Sequence, residues 1–387
     1  MGAGTRTAKG HGPRAALLSM MALALLATLA GASHETTGKP DALSYYKTSE
    51  QLDAMLDEVA ESSPEFVRVE TMTDPTTSFS IKVATITEFE SGLEGKSQVV
   101  LMFGVHAREL ISSDIGYHLI KLLAGRNSEL TFWPAAASAH KRNMKLEHTM
   151  LSGDAQGPYR LLMGQAGWEK SLEEWVRILR KSCVIKIFLN CNPKGRDDVF
   201  AGDGCQRTVP ETGVDLNRNW PYEWSNLMGN SANKGSTVYR GPSPLSEGST
   251  RVVHKLLTGT YDPGVFTAEA FKPHLFIDIH SGEWAQYTPL DCALTTPKSM
   301  LPGDISILGE LLDNYCDCLW GPGGQASNYV ACGTGVDYVG IELETPYSLT
   351  FEVYGWDNEG RDSPLGRRLS STGPGAGTAA GAGARAG

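Results

Sequence analysis

The sequence predicts an α/β fold in which helices cover both faces of a β-sheet. Short apolar runs alternate along the chain with longer segments of helical periodicity, a pattern typical of a sheet with helices packed against it. His106 follows one of the apolar runs within three residues, a second run ends in His280, and a third ends in Glu352. Because ligands of α/β sheets bind at the carboxyl ends of the strands, these side chains are the first candidates for a functional site.

Three segments have the periodicity of amphipathic helices. The first begins at a capping box, Thr48-Ser-Glu-Gln51, and the second is closed by Gly125. The apolar residues on their predicted inner faces are Leu52, Met55, Leu56 and Val59 in the first helix, Ile115, Leu119, Leu122 and Leu123 in the second, and Trp168, Leu172, Trp175, Val176 and Leu179 in the third.

The predicted strands are short and rich in branched apolar residues. In one of them, Phe79, Ile81 and Val83 alternate with polar or small residues. The others are nearly continuous apolar runs, as expected of strands buried on both faces. They comprise residues 98–103, 184–189, 276–280 and 347–352.

The composition narrows the class of protein. A chain of 387 residues can form one large α/β domain or two smaller ones. Its net charge is −10, and both signs are mixed along the chain without a basic stripe. We therefore expect no nucleic-acid partner, and the acidic balance favours solubility.

The N-terminus has the organisation of a secretory signal peptide over residues 1–32. Basic residues precede a nearly uninterrupted apolar run from Ala15 to Ala32, which ends in the cleavage pattern Ala30-Gly31-Ala32. We expect a secreted chain that starts near Ser33, with no stable membrane span after cleavage. An uncleaved membrane anchor and an organelle transit peptide remain the alternatives.

The rest of the chain is predicted to form a single folded domain over residues 33–357. Residues 126–167 lack clear periodicity and are predicted to be a long surface insertion, and the Gly- and Ala-rich residues 358–387 to be a disordered tail.

Seven cysteines are present, and their spacing matches no zinc finger. In a secreted chain some of them should form disulfides, and the odd number leaves at least one thiol free or paired with another molecule. Their connectivity does not follow from the spacing. They are Cys183, Cys191, Cys205, Cys292, Cys316, Cys318 and Cys332.

Several ordered motifs between about Tyr45 and Gly355 resemble those of the zinc metallocarboxypeptidases of the carboxypeptidase A type. The motifs are His106-Ala-Arg-Glu109, Asn192-Pro-Lys-Gly195, Gly213-Val-Asp-Leu-Asn-Arg-Asn-Trp220, Tyr239-Arg-Gly-Pro242 with Ser246-Glu247, His280-Ser281 and Thr350-Phe-Glu352. The resemblance implies a single-domain, mixed, mostly parallel twisted β-sheet with helices on both faces. Lys194 and Gly282-Glu283-Trp284 depart from the pattern of the digestive enzymes. These enzymes also continue after the last motif with an amphipathic helix where this chain has its Gly- and Ala-rich tail, so either the lineage dispenses with that helix or the gene model is truncated.

The resemblance implies that His106, Glu109 and His280 bind one Zn²⁺ per chain. Two imidazoles and a carboxylate are a known catalytic zinc set that leaves the fourth position for water. Asp215 is similar to the acid that accepts a hydrogen bond from the first zinc histidine, which would fix the tautomer of that ring. Glu352 is similar to the general base that assists the attack of the zinc-bound water.

The same resemblance assigns residues to the substrate. Asn217 and Arg218 would bind the free C-terminal carboxylate, for which a planar guanidinium is well suited. Arg207 would stabilise the oxyanion, with Arg196 as the alternative for this role. Tyr329 would close over the bound C-terminal residue.

Two further positions concern specificity. Val336 falls at the floor of the specificity pocket, and an apolar residue there implies a preference for apolar or aromatic C-terminal residues. Arg108 is a candidate contact for the part of the substrate further from the cleaved bond.

The resulting expectation is a secreted, monomeric zinc carboxypeptidase that acts on the C-termini of peptides or proteins. An amidase acting on cell-wall or side-chain-linked peptides would use the same chemistry with another pocket. A non-catalytic zinc-binding member of the family is the third possibility, although all of the expected ligands and the base are present.

Overall fold

The computed structural model describes residues 42–126, 172–259, 270–295 and 319–356. The predicted leader, residues 1–32, and the predicted tail, residues 358–387, lie outside the described residues. So does the predicted insertion, apart from Arg126 at its start. Within the described part of the chain, no helix combines the length and apolar character that a membrane span requires.

Helices and strands alternate along the described chain. The strands are β1 Val67–Thr73, β2 Ser80–Ile86, β3 Ser97–Phe103, β4 Cys183–Phe188, β5 Leu275–Thr288, β6 Leu319–Pro322 and β7 Tyr347–Trp356. The α-helices are α1 Ser49–Ser62, α2 Leu110–Leu123, α3 Leu172–Ser182, α4 Pro193–Phe200, α5 Gly248–Thr258, α6 Gly323–Ala326 and α7 Gly335–Asp337, and α7 continues into a π-helical turn, Tyr338–Glu342. Two short 3₁₀ turns are Ala42–Tyr45 and Leu216–Arg218.

The described strands form one mixed sheet with the order β1-β2-β4-β3-β5-β6, and β7 also pairs with β5. Strands β1 and β2 are antiparallel to their neighbours, whereas β4, β3, β5 and β6 pair in parallel. The mixed sheet predicted from the sequence is therefore confirmed. Its parallel part runs from β4 to β6 and includes β3 and β5, at whose ends candidate site residues lie.

Strand β5 folds back on itself around β7. Residues 275–280 pair with 347–352 in parallel, whereas residues 284–287 pair with 353–350 in reverse order. The direction changes between Glu283 and Trp284, just after Gly282, whose φ of +149° is open mainly to glycine. Because Glu352 is opposite both His280 and Ala285, β7 lies between the two arms of β5.

Helices cover both faces of the sheet, as predicted. On β3, Val99, Leu101 and Phe103 join one core cluster, and Val100 and Met102 join the other, because successive side chains of a strand point to opposite faces. The first cluster packs against α1, α2 and α3, and the second against α5 and the π-helical turn.

The predicted helices are confirmed where they are described. The Thr48 hydroxyl accepts from the N–H of Gln51 at 3.2 Å, and the Gln51 amide oxygen accepts from the N–H of Thr48 at 2.9 Å, which completes the capping box of α1. Gly125, with φ of +83°, lies just beyond the end of α2. The predicted inner-face residues that are fully buried are Leu52, Leu56, Val59, Ile115, Leu119, Leu122, Leu123, Val176 and Leu179.

Candidate metal centre and active site

A tight turn after β3 brings His106 and Glu109 together. It starts at Gly104, whose φ is +65°, and a Cβ there would lie 2.6 Å from the Ser113 hydroxyl. Only glycine fits this approach without displacing a neighbour. The N–H of Glu109 donates to the carbonyl of His106 at 3.1 Å. The side chains consequently face each other, with 2.8 Å between His106 Nδ1 and Glu109 Oε1.

The neighbouring strand supplies the third side chain of this group. His280 ends the first arm of β5, which pairs in parallel with β3. Its Nδ1 lies 3.0 Å from His106 Nδ1 and 3.0 Å from Glu109 Oε2. All three side chains are buried. Two parallel strands that end side by side thus bring together the residues that were predicted to bind zinc.

A carboxylate stands behind each imidazole. Asp215 Oδ1 lies 3.0 Å from Nε2 of His106, and Asp278 Oδ2 lies 3.1 Å from Nε2 of His280. Both acids are fully buried. The hydrogen bond to Asp215 keeps a proton on Nε2 of His106 and leaves the lone pair of its Nδ1 free for a metal. Asp278 and His280 approach as an ion pair without hydrogen-bond geometry.

Asp278 was not predicted as a functional residue. It precedes His280 by two positions on the same strand, so both side chains lie on one face of the sheet. The signal in the sequence was an acidic residue inside an otherwise apolar run, Phe276-Ile-Asp-Ile-His280.

The donor set fits a zinc ion. One ligand atom from each of His106, Glu109 and His280 lies within 4.8 Å of the other two, and two imidazole lone pairs directed at each other beside a carboxylate need a cation between them. Burial opposes ionisation of Glu109, but the two histidines hold its pKa below the ordinary value. Burial likewise opposes a charge on His280, but Asp278 and Glu109 hold its pKa well above the usual range. The site therefore already favours positive charge at this point.

Arg207 lies at the edge of this centre, and Arg196 does not. Arg207 donates twice to Asp215 Oδ2, at 3.0 and 2.8 Å, and its Nη1 is 3.9 Å from Glu109 Oε1. Burial opposes its charge, but Asp215 and Glu109 raise its pKa. Arg196 is buried elsewhere, where it donates to two main-chain carbonyls and to Asp114 at 2.6 Å. The geometry thus favours Arg207 over its alternative.

Glu352 faces the same centre from β7. Its backbone is paired with His280, and its Oε2 is buried with no hydrogen-bond partner in the described part of the chain. Burial and the neighbouring Glu109 raise the pKa of Glu352 to about 8. A carboxylate in this setting can exchange a proton near neutral pH.

The short 3₁₀ turn after Asp215 links the metal centre to a second polar group. The N–H of Asn217 donates to Asp215 Oδ1 at 2.9 Å, and Asn217 Oδ1 accepts from the N–H of Gly335 at 3.0 Å. Arg218 donates to the carbonyls of Gly229 and Asn217, both at 2.7 Å. Both side chains are buried, and Arg218 is held by main-chain acceptors rather than by a carboxylate side chain.

The structure places Tyr329 and Val336 beside this group. Arg218 Nη2 donates to the Tyr329 hydroxyl at 3.4 Å, although the Tyr329 side chain is 51% exposed. Val336 is fully buried in α7, next to the residue that bonds Asn217. Arg108 is exposed, in the turn that carries the first two candidate ligands.

Three more acidic side chains, for which the sequence predicted no role, lie near the site. The Tyr287 hydroxyl donates to Glu283 Oε2 at 2.5 Å on the second arm of β5. Asp337, fully buried, accepts the main-chain N–H groups of residues 290–292 at 2.7 to 3.0 Å. Burial and Asp337 raise the pKa of Asp291 to about 8. These contacts depend on loop packing that residue spacing does not reveal.

The chain matches a known protein family over two segments. A family model described as zinc carboxypeptidase matches residues 52–132 and 168–360, more than half of the chain. A metallocarboxypeptidase A-like protein from Trichophyton verrucosum is 29% identical over 151 residues, which are 36% of this chain and 32% of that protein. The chain thus matches about a third of the length of this curated relative.

Two solved structures share the fold. Carboxypeptidase A from Helicoverpa armigera is 20% identical with a TM-score of 0.58, and the alignment covers 90% of this chain and 74% of that one. Bovine thrombin-activatable fibrinolysis inhibitor, solved in complex with a tick carboxypeptidase inhibitor, is 19% identical with a TM-score of 0.53 and coverages of 79% and 86%. With a family match over most of the domain and the same fold, the chain belongs to the zinc carboxypeptidase family.

Proposed function

We propose that this protein is a zinc-dependent carboxypeptidase that hydrolyses the C-terminal peptide bond of peptides or proteins. The observation that carries the proposal is that the ligand atoms of His106, Glu109 and His280 converge on one point. Asn217 and Arg218 lie close by in the sequence, in the 3₁₀ turn that follows Asp215, the partner of His106. The first group suits a hydrolytic metal and the second suits a free carboxylate. An exopeptidase that acts on C-termini needs both groups.

One zinc ion per chain would be held by Nδ1 of His106, Nδ1 of His280 and the Glu109 carboxylate. A zinc ion with three protein ligands acidifies water and polarises a carbonyl group. Asp215 and Asp278 orient the two rings from behind, since each carboxylate lies within 3.1 Å of an Nε2. The hydrogen bond from His106 to Asp215 fixes the tautomer in which its Nδ1 is free of a proton, and the negative charge of Asp278 favours the same tautomer of His280.

Arg218 and Asn217 would bind the α-carboxylate of the substrate. The main-chain carbonyls that accept from Arg218 fix the plane of its guanidinium, which can then present two parallel donors to a carboxylate. The Tyr329 hydroxyl, already 3.4 Å from Arg218, would close over the bound residue and exclude water. A peptide without a free C-terminus would leave the buried guanidinium of Arg218 without a carboxylate partner, which would restrict cleavage to chain ends.

Glu352 would serve as the base and then as the acid. Its carboxylate takes a proton from the attacking water and passes it to the nitrogen of the leaving amine. The raised pKa of about 8 in the absence of metal indicates that this position tolerates the protonated form. Arg207, fixed by two hydrogen bonds to Asp215, would donate to the oxyanion that forms at the cleaved carbonyl.

The side chain of the C-terminal residue would lie against Val336. A fully buried valine in α7 supports a preference for apolar or aromatic residues. Arg108, exposed in the turn between the two ligands from β3, would contact the substrate on the other side of the cleaved bond.

We also propose that the protein is secreted as a monomer, with residues 33–357 as the catalytic domain. The leader over residues 1–32 supports secretion, and so does the disulfide between Cys292 and Cys332. Disulfides persist mainly in oxidising compartments. Cys183 and Cys191 are buried as free thiols, and burial raises the pKa of Cys183 to about 12, so that thiol is expected to be inert.

The experiment is hydrolysis of an N-blocked dipeptide that ends in Phe, compared with its C-terminal amide. The zinc-loaded protein should release free Phe from the first and leave the second intact. Removal of zinc should abolish the release, and addition of zinc should restore it. Protein that holds one zinc per chain and cleaves neither substrate would overturn the proposal.

A further inference from the structure

The segment that carries Tyr329 has little secondary structure of its own. It runs from Asn328, in a left-handed conformation with φ of +55°, to Thr334 before α7. Its two ends face the group that is proposed to bind the substrate carboxylate: the Tyr329 hydroxyl is 3.4 Å from Arg218, and the N–H of Gly335 donates to Asn217 at 3.0 Å. We call residues 328–334 the tyrosine loop.

Main-chain hydrogen bonds hold the tyrosine loop on two sides. The N–H of Cys332 donates to the carbonyl of Met228 at 3.0 Å, and the carbonyl of Gly333 accepts from Trp220 at 3.1 Å. On the other side, the N–H of Ala331 donates to the carbonyl of Asp291 at 2.9 Å. The loop therefore lies between residues 218–228, which include Arg218, and residues 290–292, which follow β5.

The bond between Cys292 and Cys332 crosses this space covalently. It joins residues that are 40 positions apart, with 4.5 Å between their Cα atoms. Cys292 is itself fixed, because its N–H donates to the buried carboxylate of Asp337 at 3.0 Å. The same carboxylate accepts from Leu290 and Asp291. Residues 290–292, which follow β5, are thus attached to α7, and the disulfide extends this attachment to the tyrosine loop.

We propose that the Cys292–Cys332 bridge positions the tyrosine loop for recognition of the substrate carboxylate, so that the reduced protein binds peptides more weakly while it keeps its metal. The inference rests on the proposed function. Its physical basis is preorganisation: a loop held in its bound position by a covalent bond loses less freedom when the substrate arrives. The metal ligands lie on β5 and on the turn after β3, outside the bridged loop.

Reduction of the bridge needs an external reductant, and a phosphine is the suitable class. The phosphine attacks one sulfur and displaces the other as a thiolate, and water then hydrolyses the thiophosphonium intermediate. The disulfide has gained two electrons and two protons as two thiols, and the phosphine has become its oxide with the oxygen of water. A phosphine also avoids the thiolates of a dithiol reagent, which would compete for zinc.

The experiment compares four forms of the full-length protein with the N-blocked dipeptide that ends in Phe. These are the oxidised protein, the phosphine-treated protein, the double variant Cys292→Ser/Cys332→Ser and the variant Cys205→Ser. Cys205 is an exposed free cysteine, so its substitution controls for thiol chemistry elsewhere. For each form, kcat, KM, bound zinc and the melting temperature are measured, and the double variant is also treated with phosphine.

We expect KM to rise about tenfold in the reduced protein and in the double variant, a typical effect of losing preorganisation. The value of kcat should stay within a factor of about three and zinc should remain at one per chain, since the groups at the cleaved bond are untouched. The double variant should not respond to phosphine, and Cys205→Ser should match the oxidised parent. Should the double variant fail to fold, the phosphine-treated protein decides.

Two results would overturn the inference. An unchanged KM after the bridge is opened would show that the loop keeps its position without it. A parallel fall of kcat, zinc content and melting temperature would show that the bridge only stabilises the fold. If the oxidised protein itself holds zinc but cleaves no peptide, the proposed function fails, and the role of the bridge in it fails as well.

Discussion

Replacement of Glu352 by Gln tests the assignment of the base. Gln keeps the shape of the side chain and removes its ability to accept a proton. Glu352 is not among the three converging ligands, so the metal should remain bound. The variant therefore separates proton transfer from metal binding.

The size of the effect follows from the lack, among the residues that the structure describes, of a substitute base near Glu352. Glu283 already accepts a hydrogen bond from Tyr287 at 2.5 Å. Burial acts to raise the pKa of Glu109, but the two neighbouring histidines lower it below the ordinary value, so Glu109 is a poor base. General acid–base catalysis contributes about 10²- to 10⁴-fold. With no second base in place, we expect kcat to fall by about 10⁴-fold, or about 5 kcal/mol in the activation barrier.

The assay is release of C-terminal Phe from the N-blocked dipeptide, with bound zinc measured on the same samples. The variant should hold one zinc and show KM close to that of the parent, because the carboxylate-binding group is distant in sequence and unchanged. Zinc-loaded Glu352→Gln protein with activity within threefold of the parent would refute the reasoning, whereas loss of zinc would show that the carboxylate is a ligand.

The same variant has a second measurable consequence, in the metal-free protein. Burial and Glu109 raise the pKa of Glu352 from 4.5 to about 8, so the folded protein retains a proton that the unfolded chain releases above pH 4.5. The free energy of unfolding should fall as the pH rises from about 5 to 8, by about 1 kcal/mol per pH unit from this group. Thermal melts of Glu352→Gln should show a flatter dependence, and equal slopes for both proteins would contradict it.

Three further predictions concern other parts of the site. Asp278→Asn should weaken zinc binding about 10- to 100-fold in a chelator competition, as loss of a carboxylate partner of a ligand histidine does; unchanged affinity would leave Asp278 without a role at the metal. Arg218→Lys should raise KM for the free dipeptide about 30-fold or more, because Lys cannot present two parallel donors, and an unaltered KM would remove Arg218 from the carboxylate site. Val336→Asp should shift the ratio of kcat/KM from C-terminal Phe toward C-terminal Lys by about tenfold or more, and a constant ratio would mean that Val336 is not at the pocket floor.

Much of the fold follows from local patterns that tertiary packing reinforces. The helix at residues 49–62 has both a capping box and an apolar face, and strands β3 and β4 are nearly continuous apolar runs. The elements that escaped prediction have weaker patterns. In β1 only Val67 is fully buried, because the strand lies at the edge of the sheet, and its charged residues hide the alternation.

The path of β5 is a second feature that local patterns do not reveal. Its 14 residues contain a reversal between Glu283 and Trp284, and the two arms meet β7 from opposite sides. Periodicity gives the face on which a side chain lies, but it gives no information on which strand lies alongside. The pairing that sets Glu352 beside His280 thus appears only in three dimensions.

The grouping of the candidate metal ligands was predictable because these residues occur in compact motifs. His106 with Glu109, Asp215 with Arg218, and His280 each lie at the end of a recognisable segment, and the structure brings them together. Asp278 was visible as an acid in an apolar strand, but its partner could be identified only from the position of the ring beside it. The pairing of Cys292 with Cys332 depends on two loops far apart in sequence, so spacing could not identify it.

Anomalous X-ray scattering at the zinc edge, from crystals of the zinc-loaded protein, tests the central claim most directly. The account predicts one peak per chain, about 2.0–2.2 Å from Nδ1 of His106, Nδ1 of His280 and a carboxylate oxygen of Glu109. A zinc peak at any other place, or density at this point that persists unchanged when His280 is replaced by Ala, would contradict it.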